Sequence, residues 1–136
     1  MTDFIILPGI GNSESSHWQT LWERNDSRFA RLAPTSWDEP MLADWIDALT
    51  RAVADCSQPP VLVAHSLGCL LTAHWAGVSD APIAGAFLVA VPDSQGPAFP
   101  PPANDFADVP TSEFILHGDG TITFTGIVPR GLQGSD

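Results

Sequence analysis

Ala64-His65-Ser66-Leu67-Gly68 is the segment in which residue type, spacing and context point to one chemistry. The apolar run Val61-Leu62-Val63-Ala64 precedes the serine, and Leu67 to about Gly77 reads as a helix, so Ser66 falls on a strand-to-helix turn. A serine on such a turn needs small residues two positions away on either side, because larger side chains would strike the neighbouring strand and helix. Ala64 and Gly68 meet that need. The turn would expose the hydroxyl as a nucleophile for acyl transfer. It would also set the Leu67 amide at a helix N-terminus, aimed at a developing oxyanion. A second donor belongs on the loop after the first strand. In Pro8-Gly9-Ile10-Gly11-Asn12 the amide of Ile10 is the candidate, with glycine letting backbone approach substrate.

Blander readings compete for the same residues. Ser66 could be a plain helix N-cap, but a cap does not need small residues on both sides. The Pro8 to Ser13 loop could cradle a phosphate, yet no lysine follows and the glycine spacing is wrong. His17, His65, His74 and His117 lack metal-ligand spacing, so no metal is implied. His65 adjoins the serine and cannot serve as its base, because adjacent side chains diverge at such a turn.

Positioning these groups requires alternating strands and helices. Phe4 to Leu7, stopped by Pro8-Gly9, reads as a buried first strand, and Phe29 to Leu32 as a short second one. Ser15 or Ser16 can cap a helix running to about Asn25, whose Trp18, Leu21 and Trp22 read as core. Asp38-Glu39-Pro40 reads as the start of a helix with apolar positions Leu42, Trp45, Ile46, Leu49 and Val53. Ile83 to Ala90 is the next strand. A proline-rich loop spans 92 to 110, and Phe114 to Leu116 is a last apolar strand. The alternation predicts an α/β fold with a doubly wound, mostly parallel sheet, incomplete at the C-terminus. Residues 1–117 form its core, and 118–136 an atypical Gly/Thr-rich tail.

The chain of 136 residues has the size of one domain, and its net charge of -11 argues against nucleic acid or an anionic membrane as partner. The N-terminus lacks a basic n-region, and no apolar run approaches a membrane span, so the reading is a cytoplasmic protein. Cys56 and Cys69 have no CxxC spacing and read as buried free thiols.

Taken together, Ile6 to Ser13, His17-Trp18-Gln19, Trp37-Asp38 to Trp45, Val63 to Cys69, Ala73-His74-Trp75-Ala76 and Phe87 to Asp93 with Phe99-Pro100 and Phe106 resemble the YdeN-like branch of the α/β-hydrolase superfamily. These are small serine hydrolases related to the retinoblastoma-binding protein nine hydrolases, and the likeness covers roughly residues 3 to 110. The resemblance implies a cofactor-free, esterase-like enzyme that uses Ser-His-Asp chemistry on a small-molecule ester or related acyl substrate. The family continues further, through a strand ending in the triad aspartate and a loop carrying the triad histidine. Here Phe114 to Asp119 resembles the acid-bearing strand, with Asp119 as the candidate acid. No histidine follows His117, which could act as base only through an unusual topology. The codons of the tail from Thr121, read one base later, permit a sequence resembling the missing strand and turn, so the expectation is a truncated or frameshifted hydrolase. Such a chain would be catalytically silent or a binding protein, and its uncovered apolar surface would favour self-association.

Overall fold

The computed structural model describes residues 2–94 and 96–108 in full, and the backbone of strands 113–116 and 122–125. Four parallel strands make the sheet: β1 (Phe4–Leu7), β2 (Phe29–Arg31), β3 (Val61–His65) and β4 (Gly85–Val89), in the order β2-β1-β3-β4. The register aligns Leu7 with Ala64 and His65 with Val89, so three strands end together around Ser66. Chain order reverses at β1: the chain first steps outward to β2, then crosses back to β3 and β4. That reversal opens a crevice between the C-terminal ends of β1 and β3, which is where ligands bind in open α/β sheets.

Side-chain alternation divides the sheet into two unlike faces. Ile5, Leu7, Leu62, Ala64 and Ala86 join the main core with α2 (Leu42–Ala54) and α3 (Leu67–Val78). Trp45, Leu49 and Val53 of α2 are buried as their spacing predicts, and α3 is buried along nearly its whole length. A 3-10 segment at Pro101–Phe106 closes this layer, with Phe106 edge-on to Trp45 at 5.3 Å and its carbonyl 3.1 Å from His74 Nε2. The sequence had offered only a loop here; consecutive prolines preset φ for a tight helical turn, and Phe106 supplies an apolar anchor.

The opposite face carries Phe29, His65 and Phe87 against α1 (Trp18–Asn25), with Phe4 stacked on Phe29. Two helix starts differ from expectation. The cap of α1 is His17, whose Nδ1 accepts from the Gln19 amide at 3.2 Å, rather than Ser15 or Ser16. For α2 the cap position is Met41, without a side-chain bond, and the Asp38 to Pro40 segment stays outside the helix. Trp22 and Leu21, expected in the core, are each 43% exposed; among the described residues α1 is the helix on this face, and these two side chains lie at its margin. Beyond the proline-rich loop, β5 (Glu113–Leu116) pairs antiparallel with β6 (Ile122–Thr125), a strand in the segment the sequence presented as tail.

Candidate functional site

Ser66 lies between β3 and α3 with φ 54° and ψ -119°. That region costs a non-glycine residue on the order of 1–3 kcal/mol and persists only where surrounding structure enforces it. An ordinary N-cap has extended backbone and bonds the first turn with its side chain; Ser66 has neither feature. The geometry therefore rejects the plain-cap reading and frees the hydroxyl for another role.

The enforcing contacts can be named. The Ser66 amide donates to the Val89 carbonyl at 3.0 Å, and its carbonyl accepts from the Cys69 amide at 2.9 Å. The turn is thus fastened to the end of β4 and to its own helix. Ala64 is fully buried, and a Cβ on Gly68 would lie 2.2 Å from the Leu7 oxygen. Gly68 is thus sterically required, and Ala64 is small at a position with no solvent exposure.

Gly9 faces Ser66 from the β1 loop. A Cβ there would sit 3.2 Å from Ser66 Cβ and 3.5 Å from Oγ. Ile10 follows it, on a turn held by the Gly11 amide on the Trp37 carbonyl and the Asn12 amide on the Gly9 carbonyl. Leu67 is the first residue of α3. A cavity of about 410 Å³ borders Ser66, walled by Pro92, Asp93, Pro97, Phe99 and Pro100. The loop forming it leaves β4 through Ala90, at φ 57°. A second cavity of about 340 Å³, lined by Val53, Cys56, Pro60 and Pro82, lies at the opposite end of the strands, away from this serine.

The described histidines are engaged elsewhere. His65 packs edge-on to His17, with ring centroids 4.6 Å apart, and near Trp18; burial and then His17 hold its pKa below the usual imidazole value. His74 is buried on the Phe106 carbonyl, and desolvation lowers its pKa against that bond and the Asp108 charge. Burial pushes the Cys69 thiol up to about 12, so the thiol nearest the turn is inert. His117 and Asp119 lie outside the described residues. Among the described residues no three metal-ligating side chains converge, and no helix is long and apolar enough to cross a membrane.

A parallel sheet with helices on both faces and a strained serine at the end of a central strand defines an α/β-hydrolase-like fold. The chain matches the family described as serine hydrolase over residues 4–119, and it belongs to that family. A YdeN-like hydrolase from Pectobacterium atrosepticum is 33% identical, with a TM-score of 0.63 over 67% of this chain and 49% of its own. The ydeN gene product of B. subtilis is 25% identical, with a TM-score of 0.64 over 79% of this chain and 61% of its own. The chain thus spans about half to three fifths of the length of these solved relatives. No curated protein sequence matches it significantly.

Proposed function

We propose that this chain is an esterase-like serine hydrolase acting on a small-molecule ester or related acyl substrate, with Ser66 as nucleophile. The observation that carries the reading is the positive-φ serine facing Gly9 at the mouth of a cavity. In the first step Ser66 Oγ attacks the acyl carbon and passes its proton to a base. The carbonyl oxygen, now an anion, takes hydrogen bonds from the Ile10 and Leu67 amides, each such donor being worth about 3 kcal/mol in the transition state. The alcohol then leaves with a proton, and water releases the acyl group by the same route. His117 is the base and Asp119 the acid that the sequence offers.

A second reading is a catalytically silent hydrolase core that binds ligand at the same site. It is favoured by the commitment of His17, His65 and His74 to other partners. Loss of a triad base alone costs on the order of a million-fold in turnover. Intact mass spectrometry with a fluorophosphonate, using Ser66→Ala as control, separates the two. A single adduct absent from the control supports the enzyme and directs attention to His117, whereas an unmodified chain supports the silent core. The half-exposed Trp22 and Phe87, 43% and 50% accessible, support self-association, which sedimentation velocity over a concentration series checks. A cytoplasmic location belongs to the same proposal, and the acidic charge is compatible with it.

A further inference from the structure

Gln19 is fully buried, one residue into α1, and every polar atom of its side chain is used. Its Nε2 donates to the Leu7 carbonyl at 3.1 Å and to the Val63 carbonyl at 3.0 Å. Its Oε1 accepts from the Ser13 hydroxyl at 2.6 Å. Two carbonyls can be satisfied only by the NH₂ group, so these partners fix which way the amide points. Leu7 is the last residue of β1, and Val63 stands three residues before Ser66. Ser13 closes the loop that carries Gly9 and Ile10, and its own carbonyl accepts from Thr20 Oγ1 at 3.2 Å. One side chain therefore ties together the strand leading to the Ile10 loop, the far end of that loop, and the strand leading to the nucleophile.

We propose that Gln19 is a positioning residue that fixes the distance between the Ile10 amide and Ser66 Oγ. The proposal rests on the reading of Ser66 as nucleophile. The crevice between β1 and β3 exists because the chain departs in opposite directions from the two strand ends, so nothing in the ladder beyond Leu7 and Ala64 sets the separation of the loops that follow. Gln19 spans that gap with two donors on the carbonyls. Its acceptor bond to Ser13 makes the loop return to the same anchor. Oxyanion donors act only within a few tenths of an ångström of their working position, so a brace at this point governs reactivity without touching substrate.

The test compares Gln19→Met, which keeps length and apolar bulk but no hydrogen bonds, with Gln19→Glu, which keeps the Ser13 acceptor but turns lone pairs toward the carbonyls. Ser13→Ala cuts only the limb to the loop. Two readouts are taken on the full chain. The first is the fluorophosphonate labelling rate at Ser66, and the second is amide hydrogen exchange. Both Gln19 variants are expected to label slower by on the order of tenfold or more, with Ser13→Ala in between. Exchange should quicken in peptides covering 8–13 and 63–66 while α2 stays protected. Wild-type labelling and exchange in Gln19→Met would overturn the proposal, because bulk alone would then suffice. A uniform rise in exchange across α2 and α3 would overturn it as well, since Gln19 would then be a general stability residue. If the wild-type chain does not label, the reading of Ser66 fails, and the exchange pattern alone decides whether Gln19 braces the two strands.

Discussion

The Cα of Gly68 approaches the Leu7 carbonyl so closely that a methyl group on it would stand 2.2 Å from the oxygen and 2.8 Å from the carbon. The obstacle is the backbone of a buried strand, so it cannot turn aside as a side chain would. Gly68→Ala must push α3 off β1 or distort the Ser66 turn. Overpacking against a rigid wall should cost about 3 kcal/mol or more, read as a fall in the urea midpoint with an unchanged m-value.

Gly9→Ala makes a contrasting case. The added methyl would meet Ser66 Cβ at 3.2 Å, a tight contact relieved by a shift of a few tenths of an ångström, and Oγ at 3.5 Å, an ordinary one, at the edge of a cavity. The expected result is a loss of stability under about 1 kcal/mol, together with a fluorophosphonate labelling rate lowered by roughly tenfold or more as the approach to Oγ is narrowed. Equal losses in both measurements would show that Gly9 serves the fold and not the site.

These two glycines make the site legible in the sequence. Small residues around Ser66 and after β1 are demanded by close approach, and close approach leaves its mark in composition. The buried face of α2 was legible for a similar reason, since Trp45, Leu49 and Val53 recur at helical spacing. Other features left no such mark. Trp18 and Trp22 have the spacing of core residues, yet whether a helix face is covered depends on what packs over it, and α1 leaves Trp22 half-exposed. Gln19 looks like a polar residue on a short helix. Its burial follows from the gap between two strand ends, a tertiary feature that one-dimensional patterning does not carry. His17 took the cap that neighbouring serines seemed to offer, because an imidazole nitrogen can also accept from an amide two residues on.

The thiols should react unequally. Cys69 is fully buried, with a thiol pushed up to about 12 by desolvation and bonded to the Val89 carbonyl at 3.4 Å. Cys56 is partly exposed at the end of α2, and burial and the Asp55 charge raise its pKa as well. Since the thiolate is the nucleophile, iodoacetamide on the native chain should modify Cys56 at least roughly tenfold faster than Cys69, as peptide mass spectrometry would read. Rapid alkylation of Cys69 would mean that α3 opens away from β4 under native conditions.

Stability should fall on mild acidification. His74 and His65 both have pKa values held below the ordinary imidazole value of 6.5 by desolvation. The unfolded chain therefore binds protons near pH 6.5 that the folded chain refuses. Their contribution is complete above that pH and is lost as pH falls from 6.5 toward the folded-state values. Asp26 and Asp44 carry carboxyls lowered by hydrogen bonds, to Arg28 and Thr35 respectively, and weaken the fold only at more acidic pH. Thermal melts between about pH 7.5 and pH 5 should show a declining midpoint. His74→Gln, which keeps a donor for the Phe106 carbonyl but cannot titrate, should flatten that decline without abolishing it, because His65 remains.

The strain at Ser66 separates stability from reactivity. At φ 54° and ψ -119° a side chain crowds its own backbone, whereas glycine accepts that conformation readily. Ser66→Ala removes the hydroxyl and keeps the strain. Ser66→Gly removes both, although greater freedom of the unfolded chain offsets part of the gain. The glycine variant should therefore be more stable than the alanine variant by about 1 kcal/mol in urea denaturation, while neither takes up fluorophosphonate. That order would show the fold holding a serine where glycine fits better, which is the expected signature of a site kept for chemistry. The reverse order, with alanine the more stable, would mean that the turn relaxes once the hydroxyl is gone, and that the positive φ depends on Ser66 itself rather than on the bonds from Val89 and Cys69 that fasten it.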